Sequence, residues 1–125
     1  METGAANLLG IGADLCAVAR HGQAFLDKVF TAAEQADCLG RGDPDASLAA
    51  RWAAKEAVSK ALGCGIGAEL WLTSVEVVTD PATGAPSVRL DALGERTLRS
   101  RGGRRILVSL SHDGGMALAT AAVVS

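Results

Sequence analysis

The sequence predicts an α+β domain: an antiparallel sheet covered by one long and several short helices. Three observations carry that prediction. Strand-like and helix-like segments follow in the order β α α α β β α β β, so strands come in turn-linked pairs rather than alternating with helices as parallel units do. The segment "DPATG" between two β-branched runs is a hairpin signal. An alanine-rich stretch, "RWAAKEAVSKALGCGIG", runs out into glycines and reads as the end of the main helix. At 125 residues the chain has the length of one domain, 1–125, enough to hold a core without staples.

In chain order, "LLGIGADLCAV", Leu8 to Val18, is a strand whose polar side is marked by Asp14; Gly10 and Gly12 in it signal close approach of another backbone. Gly22 to Phe30 forms a short helix. "FTAAEQADCLG" carries a capping box, Thr31 with Glu34 three residues on, and ends at Gly40. "RGDPDAS", Arg41 to Ser47, has the composition of a turn or mobile loop. The main helix follows from Ser47, its expected N-cap, to about Leu62, with Gly63 as the stop. "WLTSVEVVTD", "APSVRL" and "RRILVSLSHDGGMALATAAVV" are strand-like, and "DALGERTLRSRGG" is a helix despite Gly94.

Apolar residues make up 49% of the chain but aromatics only 3%, with no tyrosine, so the core must be close-packed Ala, Val, Leu and Ile. A net charge of -2 argues against a general nucleic-acid binder, which needs a strongly basic balance. Cys16, Cys38 and Cys64 form neither an even set nor a C-x-x-C pair, which makes zinc improbable and a reduced, cytoplasmic setting the simpler expectation. "METGAANLLGIG" has no basic leader region and no membrane-length apolar run.

On a helical wheel Trp52, Glu56, Ser59 and Lys60 share one side, and Ala53, Ala54, Ala57 and Ala61 another, on which the helix can pack closely. Glu56 and Lys60 read in two ways. They are a solvated pair in the favourable i,i+4 order, or half of a ligand site whose second carboxylate lies elsewhere. Asp14, flanked by Ala13 and Leu15, is costly to bury unless paired or bound to a cation. Two carboxylates make a sparse oxygen site of the kind that suits magnesium, which keeps several waters and takes substrate phosphates as ligands. "SLSHDGG", Ser109 to Gly115, sets His112 at a strand end among serines and glycines, where a ligand can approach. Neither "GIGAD" nor "GCGIG" satisfies the dinucleotide or P-loop patterns.

Together and in this order, "GIGADLCAVAR", "ARWAAKEAVSKALGCGIG" and "LVSLSHDGGMALA" resemble the holo-acyl-carrier-protein synthase family of phosphopantetheinyl transferases. The resemblance implies the 4'-phosphopantetheinyl transferase fold and transfer of the 4'-phosphopantetheine arm of coenzyme A to a serine of an apo acyl carrier protein, with magnesium as cofactor. Adenosine 3',5'-bisphosphate is released, and the carrier belongs to fatty-acid or polyketide synthesis. Asp14 and Glu56 match the family's metal carboxylates and Lys60 the lysine one turn on. Arg51, Lys60, Gly63, Gly65, Ser109 and His112 fall where the resemblance places coenzyme A. On this resemblance the base that takes the serine proton is expected to be a metal-bound water or a nearby carboxylate. The family's trimeric habit implies a homotrimer in which His112 serves the Asp14 and Glu56 of another chain.

Arg20 matches a basic position that faces an acidic carrier helix, with His21 and Lys28 beside it. Arg96, Arg99, Arg101, Arg104 and Arg105 lie outside the motifs and read as a solvated helix face. Ala17 and Cys64 depart from the family, which often has Glu and Thr there, and the Gly40 to Ser47 segment is shorter and less basic than in many relatives. The alternative is a non-catalytic coenzyme A- or carrier-binding trimeric module.

Overall fold

The computed structural model describes residues 5–125, so Met1 to Gly4 of the expected domain lie outside the described residues. Its spine is helix α3 (Pro44–Leu62), which packs against three strands of one sheet on one side and against a shorter helix and a strand of a second sheet on the other. The expected order is found: β1 (Leu8–Ala17), α1 (Gln23–Val29), α2 (Ala32–Leu39), α3, β2 (Val75–Thr79), β3 (Pro86–Leu90), α4 (Ala92–Ser100), β4 (Arg105–Asp113) and β5 (Met116–Val124). Among the described residues the strands form two antiparallel sheets rather than one: β1-β5-β4, and the separate hairpin β2-β3.

Three local differences have plain causes. Ser47, expected as the N-cap of the main helix, lies inside it, because Asp43 accepts the Ala46 N–H at 3.1 Å and Pro44 takes the first helical position, where a missing N–H costs nothing. Half of the expected loop 41–47 is therefore the helix's first turn. Trp71 is not in a strand, since Leu72–Ser74 forms a short 3₁₀ turn and β2 begins at Val75. The other end behaves as predicted. Gly63 is left-handed at φ 73, its N–H bonds to Lys60 O and the Cys64 N–H to Ser59 O, a glycine-closed Schellman ending.

Small residues set the depth at which α3 sits on the large sheet. A Cβ added at Gly10 would overlap the carbonyl oxygen of Ala61, and one at Gly12 that of Ala57. The helix presents Ala53, Ala54, Ala57 and Ala61, all buried, and β5 answers with Ala117, Ala119 and Ala121. Because side chains alternate along a strand, the register carries this face across the sheet: Asp14 stands opposite Ala119, which stands opposite Leu110, and Cys16 opposite Ala117, which stands opposite His112. The other face, with Leu9, Ile11 and Leu15 of β1, Leu118 of β5 and Leu107 of β4, is exposed.

On the side of α3 away from that sheet lies an ion pair with no solvent access, Lys55 with Glu34 at 2.7 Å. The Lys55 ammonium also donates to the carbonyls of Leu72 and Val75, so its three protons each meet an acceptor. Glu34 accepts the Thr31 N–H of its own capping box and the Val77 N–H of β2. Burial pulls the Lys55 pKa below the usual lysine range, and the Glu34 carboxylate opposes that pull. One satisfied pair thus pins α2, α3 and β2 together.

Two outcomes are expected in urea denaturation. Gly12→Ala should cost roughly 2 kcal/mol or more through overpacking against the Ala57 carbonyl, whereas Gly42→Ala, with nothing within 4 Å of the added methyl, should stay within about 0.5 kcal/mol. Lys55→Met should cost about 3 to 5 kcal/mol because it leaves Glu34 buried and unpaired, and a loss under about 1 kcal/mol would show the pair to be dispensable.

Candidate active site

From Ala49 to Leu62 every residue of α3 is buried except Trp52, Glu56 and Lys60, which stand four apart on one stripe. Ser59, expected on the same side, is buried, with its hydroxyl bonded to the Glu56 carbonyl. The stripe borders β1. Helical side chains lean toward the N-terminus of their helix, and Lys60 leans far enough to reach the strand. Its ammonium donates to Asp14 Oδ1 at 3.0 Å and to the Ala13 carbonyl at 2.9 Å. The solvated Glu56–Lys60 pair is therefore not the arrangement adopted, and Asp14 is the lysine's carboxylate.

Strand and helix run in opposite directions here. Gly10 lies against Ala61, Gly12 against Ala57, and the Cys16 thiol donates to the Ala49 carbonyl at 3.3 Å. Asp14, between Gly12 and Cys16, thus stands beside the turn of α3 that carries Glu56. Its side chain is 21% exposed, and Lys60 is 54% exposed. The half-buried Glu56 carboxylate has no hydrogen-bond or ion-pair partner among the described residues. Two carboxylates, one of them unpartnered, fit a hard cation with few protein ligands better than zinc or calcium, which demand more donors. Among the described residues there is no cluster of three or more potential metal-ligating side chains, so any such ion must complete its shell with water or substrate oxygens. Cys16 offers no thiolate: burial, and then the Asp14 charge, push its pKa up.

The loop after α3 is held from outside the motif. Arg101 donates to the Leu62 carbonyl at 3.1 Å and pairs with Glu69 at 2.7 Å, so it caps the helix instead of joining a solvated face; Arg96 and Arg99 are exposed on α4 as expected, whereas Arg104 and Arg105, also exposed, lie beyond the helix at the start of β4. Gly63 and Gly65 have open space where a Cβ would project. Cys64 between them is a half-buried thiol that burial pushes to higher pKa.

A second constellation lies on the opposite flank of α3. Arg51 is only 4% exposed, yet it lines a pocket with Arg41, Ser47, Thr79, Ser111 and His112. Its guanidinium donates to Asp37 at 2.6 Å, to the Thr79 hydroxyl at 3.0 Å and to the Ser47 carbonyl at 3.3 Å, while Nε has no partner. The structure therefore joins Arg51 to His112 and joins Asp14 to Lys60, but sets the two groups on different edges of the large sheet. Ser109 joins neither: it lines a shallow groove on the exposed sheet face with Ile11, Leu107 and Thr120.

Arg20 and Lys28 are exposed on and before α1, and His21 stacks on Phe25 with ring centroids 4.2 Å apart and meets Trp52 edge-on at 5.8 Å. Sequence reasoning missed Asp37, Arg41 and Thr79. Only the i,i+4 spacing of Asp37 and Arg41 hinted at the first two.

The family model described as the 4'-phosphopantetheinyl transferase superfamily matches residues 10–121. The holo-[acyl-carrier-protein] synthase of Chlorobaculum parvum is 45% identical over 120 residues, covering 90% of this chain and 96% of its own length. That of Chlorobaculum tepidum is 47% identical over 118 residues, covering 89% and 94%. Among solved structures, the holo-[acyl-carrier-protein] synthase of Neisseria meningitidis superposes with a TM-score of 0.85 at 29% identity, covering 94% of this chain and 98% of the other. The Helicobacter pylori enzyme in complex with coenzyme A gives 0.76 at 30% identity, covering 90% and 98%.

Proposed function

The chain belongs to the 4'-phosphopantetheinyl transferase superfamily, as an enzyme of the holo-acyl-carrier-protein synthase kind, and on that footing we propose the reaction and the residues that carry it. The 4'-phosphopantetheine arm of coenzyme A is transferred to a serine hydroxyl of an apo acyl carrier protein, adenosine 3',5'-bisphosphate leaves, and magnesium is required. The observation that carries this reading is the open stripe of α3: on an otherwise buried stretch, Glu56 and Lys60 stay accessible, and Lys60 is tied to Asp14 of β1.

Phosphoryl transfer asks for an in-line nucleophile and for cancellation of charge on the phosphate oxygens. Asp14 and Glu56 are the residues that would hold magnesium. When bound, the ion supplies positive charge against the pyrophosphate oxygens. Lys60, fixed by Asp14 Oδ1 and the Ala13 carbonyl, holds a cation where negative charge grows on the leaving phosphate. The pyrophosphate belongs to that cluster, which leaves the 3'-phosphate of coenzyme A for the pocket of Arg51 and His112. Gly63 and Gly65 open the backbone beside Lys60 for the ligand.

The two constellations meet across a subunit boundary. The exposed sheet face carries Ile11, 70% exposed, and Leu15, 60% exposed, beside Leu9, Leu107 and Leu118, and an apolar face of this kind is a candidate contact surface. Covering it in a homotrimer would bring Arg51 and His112 of one chain to Asp14 and Glu56 of the next and bury Ser109 in the contact. Arg20 and Lys28, with the His21 ring beside them, then present positive charge to an acidic carrier, a contact whose gain is orientation and encounter rate. A cytoplasmic setting fits this substrate pair; no helix among the described residues is long and apolar enough to cross a membrane.

The test is the mass of the carrier. With magnesium, coenzyme A and a panel of apo carriers from fatty-acid and polyketide synthesis, at least one carrier should gain a phosphopantetheine. Asp14→Ala or Glu56→Ala should lower the rate by 100-fold or more, as expected of about 3 kcal/mol of transition-state stabilisation. No gain with any carrier, or full rates in both variants, would overturn the proposal.

A further inference from the structure

Arg51 is buried, but its counter-ion is not. Asp37, on α2, has a side chain 45% exposed, and its Oδ2 accepts from Arg51 at 2.6 Å and from Arg41 at 3.2 Å. One carboxylate oxygen therefore serves two guanidinium groups. Asp37 borders the depression on the outer side of this pair, which shares Arg41, Ser47 and His112 with the Arg51 pocket. The other acid lining the depression, Asp43, accepts the Ala46 N–H as a helix cap. Asp37 is thus the negative group that neutralises the arginines, and Arg51 Nε remains without a partner among the described residues.

We propose that Asp37 is a built-in competitor for the phosphate this pocket takes: it holds Arg51 and Arg41 in place in the empty enzyme, gives way to the 3'-phosphate of coenzyme A, and returns as the bisphosphate product leaves. The inference rests on the reading of the Arg51–His112 pocket as the 3'-phosphate site. A phosphomonoester brings nearly two negative charges and three acceptor oxygens against the carboxylate's single charge. It can also take the Arg51 Nε–H that Asp37 leaves unused. An exposed aspartate loses little on swinging into water, so the exchange costs little beyond the lost pair. The product keeps the 3'-phosphate, so the same competition from Asp37 loosens its hold and eases its release. Asp37 is accordingly a positioning residue that sets affinity, with no contact to the reacting atoms.

Titration calorimetry of coenzyme A and of 3'-dephospho-coenzyme A against the full chain tests this. Asp37→Asn keeps an acceptor for the arginines and removes the charge. It should tighten coenzyme A binding by roughly three- to ten-fold, the size of one charge–charge term near a surface, and change the dephospho form by less than about two-fold. Asp37→Gln, with a longer neutral amide, should move in the same direction and serves if the first variant folds poorly. Unchanged or weaker coenzyme A binding, or equal tightening of both ligands, would overturn the role of Asp37. His112→Ala separates the two levels of inference. If it weakens coenzyme A while Asp37→Asn has no effect, only the competitor role falls; if coenzyme A binds His112→Ala as before, the pocket reading falls with it.

Discussion

The structure depends on how closely β1 lies against α3. Gly10 and Gly12 leave no Cβ where the carbonyls of Ala61 and Ala57 pass, and the alanines of the helix return the favour. At ordinary strand-on-helix distance Lys60 would stand in solvent as one member of a weak surface pair. At this distance its ammonium reaches the Asp14 carboxylate and the Ala13 carbonyl on the strand. The same seam fixes which face of the sheet Asp14 occupies, because a slip of one residue would move it to the other face.

A close seam alone would leave the helix free to roll. The far side of α3 is held by Lys55, whose ammonium meets Glu34 and two carbonyls without solvent access. Such a pair adds little stability relative to apolar residues of the same size, but mispairing it is costly, so it specifies one orientation. That orientation gives α3 two working flanks. One carries Glu56 and Lys60 beside β1, the other Arg51 beside β4 and the β2-β3 hairpin. A ligand with a pyrophosphate at one end and a phosphomonoester on its nucleoside has use for both.

Much of this was legible in the sequence. The order of elements, the capping box at Thr31, the glycine stop at Gly63 and the meaning of Gly10 and Gly12 followed from local rules, since each depends on a few neighbours in the chain. The start of α3 was misplaced because Ser47 and Asp43 are both good caps, and only Pro44 at the first helical position decides between them. The separation of the strands into two sheets was not legible, because pairing partners are set by the whole fold. The burial of Lys55 was not legible either, because it depends on a glutamate 21 residues earlier in the chain. Arg101 looked solvated for the same reason: its partners, Leu62 O and Glu69, are distant in sequence. Of the candidate site, Asp14, Glu56 and Lys60 stood out by residue type and spacing but were chosen over a solvated pair only through the family resemblance, whereas Asp37 had no signal beyond its spacing from Arg41.

What unites these features is the claim that Asp14 and Glu56, brought to one edge of the fold by the glycine–alanine seam, form a cation site that works with substrate phosphate. The most direct measurement is a titration of Mn²⁺, as a stand-in for Mg²⁺, into the protein with saturating coenzyme A, followed by electron paramagnetic resonance of the free ion. Tight uptake of one ion per chain, lost in both Asp14→Asn and Glu56→Gln, is the predicted result. Equal uptake by the two variants and the unaltered protein would contradict it.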